Sequence, residues 1–415
     1  MNVIAFPETG DVWQSVSDEV LEQLGRNTSQ ARGLPNAAFT DGGFHELEKA
    51  RLFSRTWSFA APASTLADPG DILSVEIAGH PLILVRGHDR EVRAFHNVCP
   101  HRGARLVTET RCSRAVLTCP YHAWSYGLDG ALKGRPHYHG HGRHQTACDM
   151  SDEDVRLFAV PCRQWHDWVF VNIDGKAPEF GSFMAPIEEH FTDYDIAQFR
   201  RSDQTMAVEF ACNWKLAVEN YCDFYHVFSV HPALDRMMSP QTRQSMRESG
   251  CHLLNGYAFA GSGRGIAVDD SGPGLPSQEG IDADLESSTR YAVLFPNFAV
   301  NVYPGSLQAV LFEPLAADRT IMHMWFYYVG DAARAAEHAE ARDALYQEWV
   351  ELNNEDKDIC LRLQEGRACT AYDGGRLAPH WDRGTVHFHR QVAHAIRRAG
   401  AVAAWWGGRG HPAGV

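Results

Sequence analysis

A chain of 415 residues is long enough to bury a large hydrophobic core and predicts about two domains. Its composition, 44% apolar and 22% charged, is ordinary for a globular protein, and a net charge of −14 argues against a nucleic-acid partner. No apolar run reaches the roughly 18 residues of a membrane span. The N-terminus lacks the features of a signal peptide and the ten cysteines are dispersed, so a cytoplasmic location with free or metal-bound thiols is expected.

The first third of the chain predicts a helical arm followed by a small β unit. Short helices are expected near 17–24 and over 44–53. From about Gly70 the residues alternate in polarity, which predicts antiparallel strands, and a turn-forming segment at 175–178 marks the end of the unit. The predicted strands are 72–77, 81–86 and 92–96, with 157–173 completing the unit.

Two loops of this β unit each offer one cysteine and one histidine. The first contains Cys99 and His101, and the second contains Cys119 and His122. Two thiolates and two imidazoles can hold either zinc or a [2Fe–2S] cluster with two His on one iron. A zinc site usually has both cysteines in one knuckle, whereas here each loop supplies one of each. The spacing therefore favours a Rieske cluster, with a zinc ribbon as the alternative.

A second group of metal-ligand residues lies at 219–231, where two carboxylates and two imidazoles occur together. On a continuous helix Glu219, Asp223 and His226 would share one face, and His231 would fold back beside His226. Paired histidines beside a carboxylate are typical of a 2-His-1-carboxylate site for non-haem Fe(II). The alternative is an amphipathic helix with two solvated histidines.

A long helix predicted over 333–367 supplies a third ligand for that site. Its apolar stripe contains one carboxylate, and the stripe consists of Leu345, Trp349, Leu352, Asp356, Ile359 and Leu363. An ionised carboxylate in such a stripe is costly unless it is paired or bound to a metal. Asp356 is therefore predicted to bind the iron, the alternative being a salt bridge with an arginine. Glu355 and Asp358 lie off the stripe and are predicted to be solvated.

The remaining segments predict a connector, a sheet and a last helix. The expected elements are a helical connector over 179–200, a strand at 206–210, a loop region over 235–289, strands at 291–304, 307–314 and 319–329, and a surface helix over 385–398. The histidines of the segment 134–144 predict a solvated loop, Cys112 a buried free thiol, and 401–415 a poorly ordered tail.

The Cys-x-His and Cys-x-x-His loops, followed by the 219–231 stretch, resemble the large (alpha) subunit of Rieske non-haem iron oxygenases from about residue 40 onward. This resemblance implies an α+β fold with a small antiparallel β Rieske domain, 55–175, inserted in a helix-grip catalytic domain, 176–415, built from an antiparallel sheet plus helices. Residues 1–54 would form an arm and a helix that pack on the catalytic domain.

The same resemblance implies two cofactors, a [2Fe–2S] Rieske cluster and a mononuclear Fe(II). In the family, the cluster of one subunit serves the iron of its neighbour in a ring-shaped homotrimer, through a bridging carboxylate. Asp223 matches that carboxylate, and Glu219 would support or gate the relay. A separate NAD(P)H-dependent reductase with flavin or iron–sulfur centres is the implied partner, because no Gly-x-Gly-x-x-Gly follows a strand here.

The segment 291–304 resembles family members that oxidise quaternary ammonium compounds, such as choline, glycine betaine, carnitine and stachydrine monooxygenases. The expected reaction is O₂-dependent hydroxylation of an N-methyl group, and aromatic walls would suit the cation. The same aromatics suit a flat arene, so ring hydroxylation of an arene or aromatic acid stays open. A non-catalytic Rieske electron carrier is the alternative from another class, although it would not need a second ligand set.

Overall fold

The computed structural model describes residues 16–110, 114–141, 146–147, 150–260 and 274–397. Cys112, His144 and 401–415 lie outside them. The chain divides into two compact units, one formed by Phe53–Ala177 and the other by described parts of 5–52 and 178–415. Among the described residues no helix combines the length and hydrophobicity needed to cross a membrane.

Short antiparallel strands build the smaller unit. They are β1 Ser58–Pro62, β2 Ile72–Ile77, β3 His80–Arg86, β4 Val92–His96, β5 Val116–Thr118, β6 Ser125–Gly127, β7 Leu132–Gly134, β8 Ala159–Val160, β9 Cys162–Trp165 and β10 Trp168–Val171. The strand orders in the three sheets are β1-β10-β9, β2-β3-β4-β8 and β5-β6-β7. The strands predicted at 72–77, 81–86 and 92–96 are thus confirmed, and so is the exposure of the histidine-rich loop at His137, His139 and His141.

The larger unit combines helices with one antiparallel sheet. Its helices are α1 Asp18–Gly25, α2 Ala37–Thr40, α3 Gly42–Glu48, α4 Phe180–His190, α5 Trp214–Cys222, α6 Val227–Val230, α7 Pro232–Met237, α8 Ala339–Arg367 and α9 Arg383–Arg397, with a π-helical turn, Lys49–Phe53, after α3. Its strands are β11 Phe199–Phe210, β12 Arg247–Ser249, β13 His252–Ala258, β14 Ser288–Leu294, β15 Phe298–Val302, β16 Ser306–Ala316 and β17 Arg319–Val329. The sheet order is β11-β17-β16-β15-β14-β13-β12. This mixed architecture confirms the predicted α+β fold class.

The prediction for the middle of the sheet was partly wrong. Segment 291–304 is not one strand but the hairpin of β14 and β15, and 235–289 contains β12 and β13 in addition to loops. The alternation rule missed β13 because this strand is buried on both faces: five of its seven residues are buried. A strand without a solvent face shows no period of two in its polarity.

The long helix and the last helix also differ from prediction. In α8 the buried face follows Asn353, Asp356 and Cys360, whereas the predicted stripe residue Leu363 is 42% exposed. Helix α9 was expected at the surface, but His389 within it is 1% exposed. Both polar side chains can be buried because they are hydrogen-bonded, His389 to Glu219 and Asn353 to the Trp349 carbonyl.

The continuous helix expected through 219–231 does not exist. Helix α5 ends at Cys222, and Asp223 is extended, with φ −90° and ψ 108°. The Asp223 carboxylate accepts hydrogen bonds from the backbone N–H of Tyr225 at 2.7 Å and of His226 at 3.3 Å. Aspartate competes in this way with the backbone bonds that would continue a helix. The break places His226 and His231 by a turn and a short helix rather than by helical periodicity.

A fully buried ion pair joins α3 to α5. The Lys215 ammonium lies 2.5 Å from Glu48 Oε1, and both side chains have no solvent exposure. The Trp214 indole N–H donates to Glu48 Oε2 at 3.0 Å. Since the ammonium also lies 5.2 Å from the Phe39 ring centroid and 5.3 Å from that of Phe44, the pair is enclosed by aromatic rings. This contact fixes the first turn of the helix that leads to the histidines.

Removing one member of this pair is expected to destabilise the protein strongly. Lys215→Met leaves the Glu48 carboxylate buried without a counter-ion, which should lower the free energy of unfolding by about 3–5 kcal/mol. The double variant Glu48→Gln/Lys215→Met removes both charges and keeps an acceptor for Trp214, so it should lie much closer to the wild type. Denaturant unfolding measures both. Arg362→Met, at an exposed pair, serves as the control, and equal instability of single and double variants would contradict this account.

Candidate metal centres

Two loops of the smaller unit fold in the same way around their cysteines. The Cys99 N–H donates to the Ala104 carbonyl, and the Cys119 N–H donates to the Trp124 carbonyl, each at 2.8 Å. In return Gly103 N–H donates to the Cys99 carbonyl at 3.0 Å. Each loop therefore turns back on its own cysteine within five residues, which brings the cysteine and histidine of each loop to one end of the unit.

Both loops need a left-handed residue at the equivalent place. In the first loop this residue is Gly103, with φ 75°, and in the second it is Ala123, with φ 55°. Ala123 N–H donates to the Cys119 carbonyl at 3.1 Å, the same bond that Gly103 makes in the first loop. The matching backbone shows that the two Cys/His loops are geometric equivalents, although only one of them carries the glycine that suits this conformation.

The four predicted cluster ligands come together at the tips of these loops. Cys99 and Cys119 are each 2% exposed, and the His101 and His122 ring centroids lie 4.7 Å apart. The Nδ1 atoms of both histidines are buried and have no hydrogen-bond partner among the residues that the structure describes. The His101 ring also stacks on Trp124 at 4.4 Å, with 4° between the planes, so its orientation is fixed.

Buried polar atoms without partners are rare in folded proteins and call for a ligand or another explanation. Two such imidazole nitrogens beside two buried thiols match the Cys₂His₂ donor set of a Rieske [2Fe–2S] cluster. The Tyr126 hydroxyl lies 3.2 Å from the Cys99 sulfur, which is the kind of hydrogen bond that tunes a cluster. The residues present therefore fit this cofactor.

In the larger unit His226, His231 and Asp356 converge, with one potential ligand atom of each within 4.8 Å of the others. The two Nε2 atoms are 3.1 Å apart, and Asp356 Oδ1 lies 2.9 Å from His231 Nε2 and 3.5 Å from His226 Nε2. Adjacent ligands at about 2.1 Å from an octahedral metal would lie roughly 3 Å apart. The arrangement fits a 2-His-1-carboxylate centre.

Carboxylates orient both imidazoles from behind. His226 Nδ1 lies 3.2 Å from Asp223 Oδ2, and His231 Nδ1 lies 2.7 Å from Glu355 Oε2. Such contacts fix the ring and its tautomer, so that Nε2 would be free to bind a metal. The prediction that Glu355 is solvated was incomplete, because its half-exposed side chain makes this contact. From the sequence, only the position of Glu355 next to Asp356 could have pointed to this contact, because Glu355 itself lies off the buried stripe of α8.

The electrostatics of this group favour positive charge. Burial opposes ionisation of Asp356, but hydrogen bonds from His226 and His231 outweigh it and lower the Asp356 pKa to about 2. Burial likewise opposes protonation of His226, but hydrogen bonds to Asp223 and Asp356 raise its pKa to about 9. A carboxylate that stays ionised in a buried site and two imidazoles that face it form a pocket suited to a cation.

Glu219 lies in a different network. Its carboxylate is 2.6 Å from His389 Nε2 and 3.7 Å from the Arg367 guanidinium. His389 Nδ1 in turn accepts the Leu34 N–H at 3.1 Å. Burial raises the pKa of Glu219, but His389 and Arg367 more than reverse the effect, so the carboxylate is ionised. These contacts tie α5 to α8 and α9, and a role in the relay stays a prediction.

Aromatic rings fill the space between α5 and the sheet. Phe224, two residues before His226, lies 6.1 Å from the Tyr257 ring centroid and 5.9 Å from that of Tyr291. The Tyr291 hydroxyl is hydrogen-bonded to those of Tyr257 and Tyr303. We call this set, together with Tyr221, the aromatic cluster: Tyr221, Phe224, Tyr257, Tyr291 and Tyr303. Its members Tyr221 and Phe224 precede His226 by five and two residues in the chain.

Known families account for both units. The family described as Rieske [2Fe-2S] domain matches residues 56–144, and the one described as ring hydroxylating alpha subunit, catalytic domain, matches 198–398. The carnitine monooxygenase oxygenase subunit of Escherichia coli (strain K12) is 27% identical over 91% of this chain and 97% of its own. The glycine betaine monooxygenase oxygenase subunit of Pseudomonas aeruginosa (strain UCBPP-PA14) is 24% identical over 94% of each chain.

Solved structures show the same fold. The quaternary ammonium Rieske monooxygenase CntA, in complex with an inhibitor, aligns with a TM-score of 0.74 at 22% identity, over 91% of this chain and 98% of its own. Naphthalene 1,2-dioxygenase from Rhodococcus sp. aligns with a TM-score of 0.68 at 18% identity, over 92% and 99%.

Both ligand sets, both family matches and the full-length relatives agree on one assignment. The two domain types, in this order, imply the two cofactors predicted from the sequence, a Rieske [2Fe–2S] cluster and a mononuclear iron. The chain belongs to the Rieske non-haem iron oxygenases, as a large (alpha) subunit related to the quaternary ammonium monooxygenases.

Proposed function

We propose that this oxygenase hydroxylates an N-methyl group of a small quaternary ammonium compound, so that formaldehyde is lost and the amine is demethylated. The observation that carries the proposal is the aromatic cluster, in which Tyr221 and Phe224 come from the segment that leads to His226. It would act as the terminal component of a system in which a separate NAD(P)H-dependent reductase, with flavin and iron–sulfur centres, supplies the electrons. Its relatives include carnitine, glycine betaine and choline monooxygenases.

The aromatic cluster supports a cationic substrate. The faces of aromatic rings attract quaternary ammonium groups, most strongly where water is excluded. Burial raises the pKa of Tyr221, Tyr291 and Tyr303 well above the usual value, so these phenols stay neutral. Among the described residues, the Lys and Arg side chains that lie over aromatic rings contact other rings. A cation entering the cluster would therefore meet no like charge from them.

The residues of the two centres take the following roles in this proposal. Cys99, Cys119, His101 and His122 hold the cluster. His226, His231 and Asp356 would hold the iron as a 2-His-1-carboxylate set. When bound, the cluster supplies electrons one at a time and the iron supplies a site for dioxygen. The chain itself orients the imidazoles, through Asp223 and Glu355, and excludes water with the aromatic cluster.

The contacts of Asp223 support a connection between the iron site and the surface. One side of its carboxylate contacts His226 Nδ1, and its side chain is 26% exposed. Exposed aromatics flank it: Tyr225 is 46% and Phe228 60% exposed, and Tyr225 stacks on Trp381 at 5.5 Å. We infer that a neighbouring copy in a homotrimer covers this surface and brings a cluster histidine to Asp223. Glu219 would then support α5 behind the relay.

Asp223→Asn is expected to separate electron transfer from metal binding. Because the amide keeps the size of the side chain and can still accept backbone hydrogen bonds, both metal centres should remain. Turnover with the reductase should fall by about 100-fold or more, since the ionised contact to His226 is lost. Steady-state rates and iron content measure the two effects. Asp358→Asn, at an exposed carboxylate of α8, is the control, and normal turnover of Asp223→Asn would disprove the relay.

The two ligand sets can be emptied independently. His226→Ala and Asp356→Ala should each lose the mononuclear iron and keep the visible absorbance of the cluster. Cys99→Ser should lose that absorbance and keep the mononuclear iron. Iron analysis should give about three Fe per chain for the wild type, about two for the first pair and about one for the last. His323→Ala, at a half-exposed strand position, should retain all of the iron. Zinc in place of iron, or parallel loss of both centres, would contradict these assignments.

The substrate class is tested by a panel offered to the oxygenase with a reductase. Trimethylammonium compounds should yield formaldehyde in proportion to the O₂ consumed, while arenes should yield no ring-hydroxylated product. Tyr291→Leu should raise the KM for the cationic substrates by about tenfold, because it removes a ring face from the cation. Ring hydroxylation without formaldehyde release would instead assign the chain to arene oxidation.

A further inference from the structure

Two buried amides on adjacent strands carry polar atoms without partners. Asn301 on β15 and Gln308 on β16 lie opposite each other in the sheet, and neither has any solvent exposure. Asn301 Nδ2 and Gln308 Oε1 have no hydrogen-bond partner among the described residues. A free donor thus lies on one strand and a free acceptor on the next. Buried polar groups of this kind are uncommon and call for an explanation.

The other half of each amide is already bonded, which fixes its direction. Asn301 Oδ1 accepts a hydrogen bond from the Tyr221 hydroxyl, and Gln308 Nε2 donates to Ser306 Oγ at 3.2 Å. Tyr221 comes from α5, where the adjacent Asn220 is hydrogen-bonded to Asp356. Tyr221 is therefore a positioning residue that aims the Asn301 N–H, and it connects the amides to the helix that precedes the iron ligands.

The amides lie in the same part of the molecule as the aromatic cluster. Tyr291 on β14 is directly opposite Asn301, which is directly opposite Gln308, so the three side chains share one face of the sheet. The Tyr221 ring lies 6.4 Å from that of Tyr291. The two free amide atoms therefore belong to side chains on the sheet face that also carries the Tyr291 ring.

The charges nearby decide which polar group fits. In the described part of the larger unit, the buried Lys and Arg side chains are paired elsewhere, Lys215 with Glu48 and Arg367 with Glu219. A carboxylate would therefore find no described counter-ion here, and its oxygens would face the acceptor Gln308 Oε1. A hydroxyl both donates and accepts, so it can accept from Asn301 Nδ2 and donate to Gln308 Oε1 at once.

We propose that Asn301 and Gln308 form a hydrogen-bonding subsite for an uncharged hydroxyl group of the substrate. The preferred substrate is then a quaternary ammonium alcohol rather than a quaternary ammonium carboxylate. The inference rests on the proposed function for the cationic half of the ligand. Asn301 and Gln308 would add selectivity for the polar group at the end of the substrate that is distant from the ammonium.

Calorimetric titration of the holoenzyme with three trimethylammonium probes tests this subsite. Choline carries a hydroxyl, propyltrimethylammonium replaces that hydroxyl by a methyl group, and glycine betaine carries a carboxylate. The wild type should bind choline at least about tenfold more tightly than either of the others, because the analogue without the hydroxyl leaves buried amides unpaired. Asn301→Leu and Gln308→Leu should each abolish the preference by weakening choline and sparing propyltrimethylammonium.

Folding is checked by the visible absorbance of the cluster and by thermal unfolding. If Asn301→Leu does not fold, Tyr221→Phe, which frees the Asn301 amide to rotate, should still reduce the preference for choline. Equal affinity of the wild type for choline and propyltrimethylammonium, tighter binding of glycine betaine, or equal weakening of both ligands in Asn301→Leu would overturn the subsite while leaving the proposed function intact. A wild type that binds none of the three probes would overturn both.

Discussion

The candidate iron site of the larger unit depends on the contact between His231 and Asp356. This contact joins atoms 2.9 Å apart in residues that are 125 positions apart in the chain. The carboxylate is supplied by α8 and the imidazole by the turn after α6, so the site forms only if both elements pack correctly on the sheet. The buried Glu48–Lys215 pair and the Glu219–His389 pair hold α5 from two further directions. The site is therefore a property of the packed unit rather than of any local motif.

The chemistry of the site was predicted from the sequence more readily than its geometry. Cys99, His101, Cys119 and His122 were found because thiols and imidazoles at fixed short spacings are rare outside metal sites, and a tight loop brings them together wherever it occurs. Asp356 was found because a carboxylate in an apolar stripe needs a partner. The roles of these side chains as ligands, and the boundaries near 54 and 175, stay predictions.

What could not be predicted depended on contacts distant in sequence. The pattern of Glu219, Asp223 and His226 suggested one helical face, but Asp223 bonds to the backbone ahead of it and breaks the helix. Glu355 was set aside because it lies off the stripe, yet it contacts His231 from its exposed position. His389 looked like a surface residue until its partners, Glu219 and Leu34 N–H, were visible. Periodicity describes one element at a time and carries no information about these partners.

The dual position of Asp223 has a consequence for how the protein can change over time. The same carboxylate that ends α5, by accepting backbone N–H groups, also touches the imidazole that faces the iron site. The path of the chain and the orientation of the His226 imidazole therefore depend on a single side chain. A glutamate would preserve the charge, but its extra methylene would move the oxygens away from the N–H groups that shape the turn. A longer acid at position 223 would therefore require the turn after α5 to be rebuilt as well.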